Sequence, residues 1–203
     1  MNKLLYFFIR VIAWPVVNIC ILPKIIQNKQ NLKINSKCIV VSNHTSYWDP
    51  IVIGHLVRPR NTQFMAKVEL IKNPVIKKFL LGMGIVPVSR GKGDLKAVKS
   101  AIKVLKDEGV LGVFPEGTRS KTGEILPFIS GVAIIALKTD TPILPIYLHD
   151  NGKPFKKRVK VVVGEPFKIQ DIIGEEKTSA SIDEANNVLR NKICELKEII
   201  ING

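Results

Sequence analysis

Two short runs, "CIVVS" (38–42) and "VLGVF" (110–114), constrain this chain most, because neither has a polar face. A strand with one wet side alternates apolar and polar residues, whereas an unbroken apolar run needs cover on both faces, as in the interior of a parallel sheet. Helical periodicity separates such runs. In "DLKAVKSAIKVLKDEG" (94–109), Leu95, Val98, Ile102 and Leu105 share one face and Lys96, Lys99, Lys103 and Lys106 lie on the others, with Asp94 placed to cap the helix and Gly109 to stop it. "TQFMAK" (62–67), "GIVPVS" (84–89), "PILPIYL" (142–148) and "RVKVVVGEPF" (158–167) read as further strands. Ile182, Ala185, Leu189, Ile193, Leu196 and Ile200 define a closing amphipathic helix. The expected fold is α/β: a mixed, mainly parallel sheet flanked by helices.

The first 27 residues stand apart. "LLYFFIRVIAWPVVNICILP" (4–23) is almost continuously apolar, interrupted by Arg10 and Pro15. A mid-span charge is costly in a bilayer and the proline breaks or kinks a helix, so the reading is one or two short helices lying in one leaflet, with Tyr6, Arg10 and Trp14 at headgroup level. A buried core hairpin is the alternative; a signal peptide fits poorly, since no small-residue cleavage site follows. Residues 28–37, "NKQNLKINSK", are polar and turn-rich, a linker or short hairpin. The chain therefore divides into an N-terminal apolar, membrane-associating helical segment (1–27) and an α/β domain (28–203), a size that needs no metal or disulfide staple.

Thirty-one Lys and Arg against 17 Asp and Glu give a net charge of +14. Such a surface suits a polyanion. The basic runs lack the interleaved aromatics of a single-strand nucleic-acid platform, so an anionic bilayer surface is the expected partner and nucleic acid is not. Cys20, Cys38 and Cys194 are far apart and form no metal-ligand or disulfide pattern, which fits a reducing, cytoplasm-facing location and no bound metal.

Both apolar runs empty into polar loops. After "CIVVS" come Asn43, His44 and, five residues past the histidine, Asp49-Pro50. Asp49 and Pro50 suit the N-cap and first turn of a helix "PIVIGHLV" whatever the function. Equally, the loop can fold back so that Asp49 accepts from one ring nitrogen of His44 and leaves the other as a base for deprotonating a hydroxyl. After "VLGVF" comes "PEGTRSKTG", where Arg119 beside Thr118, Ser120 and glycine-exposed backbone suits a phosphate; a polar surface turn is the plainer reading. Neighbouring strands would place His44 and Arg119 in one crevice at the carboxyl edge of the sheet.

"NHTSYWD" resembles the N-H-x-x-x-x-D block, and "FPEGTRS" the F-P-E-G-T-R-S block, of the glycerolipid acyltransferases. "AKVELIKNPVIKKFLLGMGIVPVSR" (66–90) resembles that family's second block, with Lys67, Glu69, Leu70, Gly84 and Arg90 in place, and "TPILPIYL" its fourth. The resemblance implies transfer of a fatty acyl group from acyl-ACP or acyl-CoA to the sn-2 hydroxyl of lysophosphatidic acid, giving phosphatidic acid, with no cofactor beyond the donor. It implies that His44 is the general base and Asp49 its orienting acid. Glu116, Gly117, Thr118, Arg119, Arg90 and Lys67 are then the acceptor-binding set, with Glu116 either shaping the loop or orienting Arg119. It also implies a peripheral or monotopic protein on the cytoplasmic face of the inner or plasma membrane. One departure stands out: where the family continues F-K-x-G, this chain has Phe128-Ile129-Ser130-Gly131. Another lysolipid acceptor, such as a lyso-ornithine lipid or lysophospholipid, is the enzymatic rival, and a non-catalytic basic lipid-binding protein the rival from another class.

Overall fold

The structure is a computed structural model and describes residues 2–71, 73–89, 94–129, 131–149, 158–174 and 178–202. Along the chain its elements are α1 (Lys3–Pro15), β1 (Lys24–Gln27), β2 (Lys33–Ile34), β3 (Cys38–Ser42), α2 (Asp49–Leu56), β4 (Arg58–Pro59), β5 (Thr62–Lys67), α3 (Pro74–Gly82) and β6 (Val86–Val88). Then follow α4 (Leu95–Lys106), β7 (Val110–Val113), α5 (Gly131–Thr139), β8 (Ile143–His149), β9 (Lys160–Val163), α6 (Gln170–Ile173) and α7 (Ser179–Ile201).

All five residues of β3 are buried, as an unbroken apolar run requires. β3 lies at the centre of a seven-stranded sheet of order β1-β9-β8-β3-β7-β5-β6, in which only the β8–β9 pair is antiparallel. Successive side chains of β3 enter opposite cores. Ile39 and Val41 pack with Ala101, Leu105, Ile135, Leu189 and Ile193 from α4, α5 and α7. Cys38 and Val40 pack on the other face with Val52, Ile53, Val57 and, from the N-terminal segment, Val17 and Ile21. The expected α/β sheet flanked by helices is the observed one, and Asp94 caps α4 as read, accepting from the Ala97 N–H at 3.0 Å.

The N-terminal segment is helical throughout, but not uniformly. At Pro15, which has no N–H for the ladder, the α-helix passes into a π-helical turn, Val16–Ile21, that ends at Leu22 in the left-handed region. Over Lys3–Ile21 the helix is long and apolar enough to cross a membrane, and little of it is buried. Leu4, Phe7, Phe8, Val11, Ile12, Trp14 and Ile19 are exposed. Trp14 is among the outward-facing residues, whereas Tyr6 is buried and Arg10, half-buried, turns toward the domain. The Tyr6 hydroxyl, buried, donates to the Thr62 carbonyl at 3.2 Å, and Arg10 donates to Asn61 Oδ1 and the Val57 carbonyl at 3.2 Å each. A guanidinium in an apolar stretch is costly without acceptors, and the carbonyls at the end of α2 supply them.

Two further expectations change. Lys24–Gln27, placed by sequence with the apolar segment, forms the edge strand β1 beside β9. The polar stretch 28–37 is neither linker nor hairpin: it makes a 3₁₀ turn (Lys29–Leu32) and β2, which pairs in parallel with β4, and it buries Leu32 and Ile34.

Candidate active site

Asn43, the first residue beyond β3, fixes where the loop begins. Its side chain pairs with the backbone of Leu148 on β8, Nδ2 donating to the carbonyl at 2.9 Å and Oδ1 accepting from the N–H at 2.8 Å. The loop then turns back on Asp49. Asp49 Oδ2 accepts from His44 Nδ1 at 2.7 Å, from the Thr45 N–H at 2.8 Å and from the Ser46 N–H at 2.9 Å. Asp49 is fully buried, while the His44 side chain keeps 19% of its surface accessible. The helix-cap reading is corrected here: Trp48 occupies the N-cap position, Asp49 begins α2 itself, and the carboxylate is directed into the preceding loop.

All three hydrogen bonds converge on one carboxylate oxygen. Such a carboxylate only accepts, so Nδ1 of His44 carries the proton and Nε2 presents a lone pair. The imidazole is also held on its face. Phe114 stacks against it with centroids 4.3 Å apart and planes 20° from parallel, and Phe64 stacks on Phe114 at 5.8 Å. Gly112 makes this stack possible, because a Cβ there would lie 2.4 Å from the Phe64 ring.

β7 is parallel to β3 and adjacent to it, so its loop meets the first one. The two loops grip each other through the backbone of His44: its N–H donates to Glu116 Oε1 at 3.1 Å, and its carbonyl accepts from the Ser120 N–H at 2.7 Å. Glu116 is thus buried behind the histidine. Desolvation pushes its carboxyl up to about 7, N–H donation from His44 and Leu126 pulls it down, Asp49 raises it and Arg190 lowers it. Gly117 adopts φ +63° and lies under Ile129, whose Cδ1 would be 2.6 Å from a Cβ at that position. Thr118 and Arg119 are exposed, and the Arg119 guanidinium lies 3.5 Å above the centroid of the Tyr47 ring. Since Tyr47 sits between His44 and Asp49, that contact brings the cation to the dyad's loop. Lys67, partly exposed, ends β5 at the same carboxyl edge. Arg90 lies outside the described residues.

The sequence reading missed Asn43, Phe114 and Tyr47. Asn43 was visible as part of the matched block, but Phe114 read only as the last residue of a strand, and Tyr47 only as loop.

The order of the two loops along the chain and their meeting at one sheet edge can be compared with known proteins. Residues 24–149 match the family model described as Acyltransferase. The chain belongs to the acyltransferase family. This acyltransferase is 33% identical over 181 residues to the 1-acyl-sn-glycerol-3-phosphate acyltransferase of Bacillus subtilis, an alignment covering 84% of the chain and 90% of that protein. It is 31% identical over 137 residues to the protein of the same name from Borreliella burgdorferi, covering 66% and 54% respectively. The crystal structure of the 1-acyl-sn-glycerophosphate (LPA) acyltransferase PlsC from Thermotoga maritima superposes with a TM-score of 0.67 at 26% identity, covering 96% of this chain and 79% of that one.

Proposed function

We propose that this acyltransferase moves a fatty acyl group from a thioester, acyl-ACP or acyl-CoA, to the sn-2 hydroxyl of lysophosphatidic acid, forming phosphatidic acid as a step of phospholipid biosynthesis. The observation that carries the chemistry is the 2.7 Å bond between His44 Nδ1 and Asp49 Oδ2, with the loop N–H groups fixing the same oxygen. Nε2 takes the proton of the acceptor hydroxyl as its oxygen attacks the thioester carbonyl, forming the new C–O bond. The tetrahedral oxyanion collapses, the C–S bond breaks, and the departing thiolate takes the proton from the imidazolium. No covalent acyl-enzyme is needed, since the thioester already carries a good leaving group.

Arg119, with Thr118, is assigned the acceptor phosphate, which suits an exposed guanidinium that makes no hydrogen bond or ion pair among the described residues. Lys67 and Arg90 belong to the same reading. Glu116 acts through His44 by bracing its backbone, and Gly117 allows the turn. The same reading seats the chain on the cytoplasmic side of the inner or plasma membrane, and what supports the membrane part of it is the exposed apolar face of α1. One observation favours a second acceptor class. Ile129, largely exposed, covers Gly117 where the family carries a basic residue, which lightens the charge beside the acceptor and suits a lysolipid with a less anionic head.

Purified protein assayed with lysophosphatidic acid and with zwitterionic or ornithine-based lysolipids, each with both donors, tests this. The expected result is highest kcat/KM on the phosphomonoester and loss of that preference in Arg119→Ala. A preference that survives Arg119→Ala would remove the role given to that residue, and full activity in His44→Ala would remove the catalytic reading.

A further inference from the structure

The chain leaves His44 along α2 and enters β5, which is parallel to β3; α2 therefore ends at the opposite, amino edge of the sheet. A cavity of about 420 Å³ opens there, lined by Asn18 of the π-helical turn, Lys29, Lys33, His55, Leu56 and Arg58, among others. None of its lining residues is acidic. Lys33 and Arg58 are register partners in the β2–β4 pair, an arrangement in which like charges directly opposite one another destabilise a ladder. Lys29, Lys33 and Arg58 are all exposed, and among the described residues none of them makes an ion pair.

The positive field is felt inside the wall. His55 is buried at the end of α2, with its Nε2 2.9 Å from Asn18 Nδ2. Asn18 Nδ2 also donates to the Trp14 carbonyl at 2.8 Å. Desolvation holds the His55 ring below the usual histidine range, and the charges of Arg58 and Arg10 push it further down. Lys29 and Lys33 face the same cavity from the 3₁₀ turn and β2. Cations that make no ion pair among the described residues, converging on a concave surface whose lining holds no carboxylate, form a site whose missing component is an anion.

We propose that this cavity is a second anion site, separate from the acceptor site, and that it takes the phosphate of an anionic phospholipid headgroup at the seam between the apolar helix and the α/β domain. The source is assigned from position: the Asn18 wall belongs to the helix whose exposed Trp14 and Ile19 would lie at the bilayer interface, the depth at which headgroup phosphates sit. Inorganic phosphate offers the same oxygens without that placement. The assignment rests on the membrane reading of α1, and the two are separable by experiment.

The test uses the full chain carrying Arg119→Ala, which removes the guanidinium assigned to the acceptor phosphate, and compares it with the same chain carrying Lys33→Gln and Arg58→Gln. Thermal melts are recorded against monomeric short-chain phosphatidylglycerol, inorganic phosphate and short-chain phosphatidylcholine. Phosphatidylglycerol is expected to raise the melting temperature, at a concentration about tenfold or more below that needed with inorganic phosphate, and phosphatidylcholine to leave it unchanged. In the Lys33/Arg58 double variant the half-saturating concentration rises about tenfold or more, as loss of two charge-assisted contacts requires. Lys29→Gln with Lys33→Gln, which leaves the Arg58 bond to the His55 carbonyl in place, must shift binding in the same direction. Protection that ignores these substitutions overturns the site, and equal protection by inorganic phosphate overturns its assignment to lipid. Vesicle flotation separates the underlying reading: Lys33→Gln with Arg58→Gln still floats through α1, whereas Phe7→Ser, Phe8→Ser and Ile12→Ser together do not. Flotation of that triple variant would sink the membrane reading of α1, and with it the lipid source, but leave the anion site to the melts.

Discussion

At the scale of single residues, the site depends on which nitrogen of His44 holds the proton. An asparagine in place of Asp49 has two settings, because all three donors meet at one oxygen: with its oxygen at that position it keeps them but carries no charge to stabilise the imidazolium that forms, and with its amide nitrogen there it gives up the Thr45 and Ser46 N–H bonds and selects the opposite tautomer, leaving no lone pair at Nε2. Asp49→Asn is therefore expected to lower kcat by about 10²–10⁴-fold with an unchanged melting temperature. Steady-state kinetics check it, and a kcat near that of the parent would take Asp49 out of the role. The Arg119–Tyr47 contact predicts a smaller effect. An aromatic face under a guanidinium contributes about 0.5–1 kcal/mol at an exposed site, so Tyr47→Ala should raise KM for a phosphorylated acceptor about two- to fivefold while Tyr47→Phe does not. Glu116 predicts a pH dependence. Its carboxyl is raised from 4.5 to about 7, so the folded chain keeps a proton that the unfolded chain releases. The stability this provides is complete below pH 4.5 and is lost as pH rises toward 7. Melting curves of the parent and Glu116→Gln should diverge in that window, the glutamine variant gaining relative stability with rising pH. A gap that stays flat would show that Glu116 titrates normally.

At the scale of elements, α1 and the π-helical turn that continues it carry two faces with different tasks. Tyr6, Arg10, Val17 and Ile21 face the domain, and burying Val17 and Ile21 contributes about 1.5–3 kcal/mol each, so removing the whole segment would damage the fold along with any membrane seat. Serine at the outward positions Phe7, Phe8 and Ile12 tests the seat alone: the melting temperature should hold while flotation on anionic vesicles is lost. Loss of both together would show those side chains to be core. The same division explains what was legible in the sequence. Runs such as "CIVVS" name their own burial, and the α4 heptad pattern names its own face, because each signal is local. Arg10 and Tyr6 were misplaced because their acceptors, the carbonyls of Val57 and Thr62, lie some fifty residues away in sequence. β1 and β2 escaped notice because they are short and pair with distant partners. Asp49 was off by one position as a cap, since its carboxylate serves the loop, and Glu116 read as shaping its own loop or orienting Arg119 because a Pro/Gly loop gives no hint that its carboxylate is folded inward against the His44 N–H.

At the scale of the whole molecule, a net charge of +14 acts over distances that no single contact reaches. Its range is set by salt: the screening length is about 10 Å at 0.1 M and about 3 Å at 1 M. The apolar face of α1 does not depend on that field, and the His44–Asp49 bond, with Asp49 fully buried, is shielded from bulk ions. Association with a bilayer should therefore divide into a salt-sensitive part from the basic surface and a salt-insensitive part from the helix. Raising sodium chloride from about 0.05 to about 0.5 M is expected to weaken binding to anionic vesicles about tenfold or more, and to zwitterionic vesicles far less. Over the same range kcat on a detergent-solubilised acceptor should stay within about twofold, because the proton transfer takes place inside the screening distance. Co-sedimentation and initial rates measure the two quantities side by side. Equal loss of binding to both vesicle types would mean that salt disrupts the helix seat itself, and a kcat that fell in step with binding would place the field of the whole surface inside the chemical step.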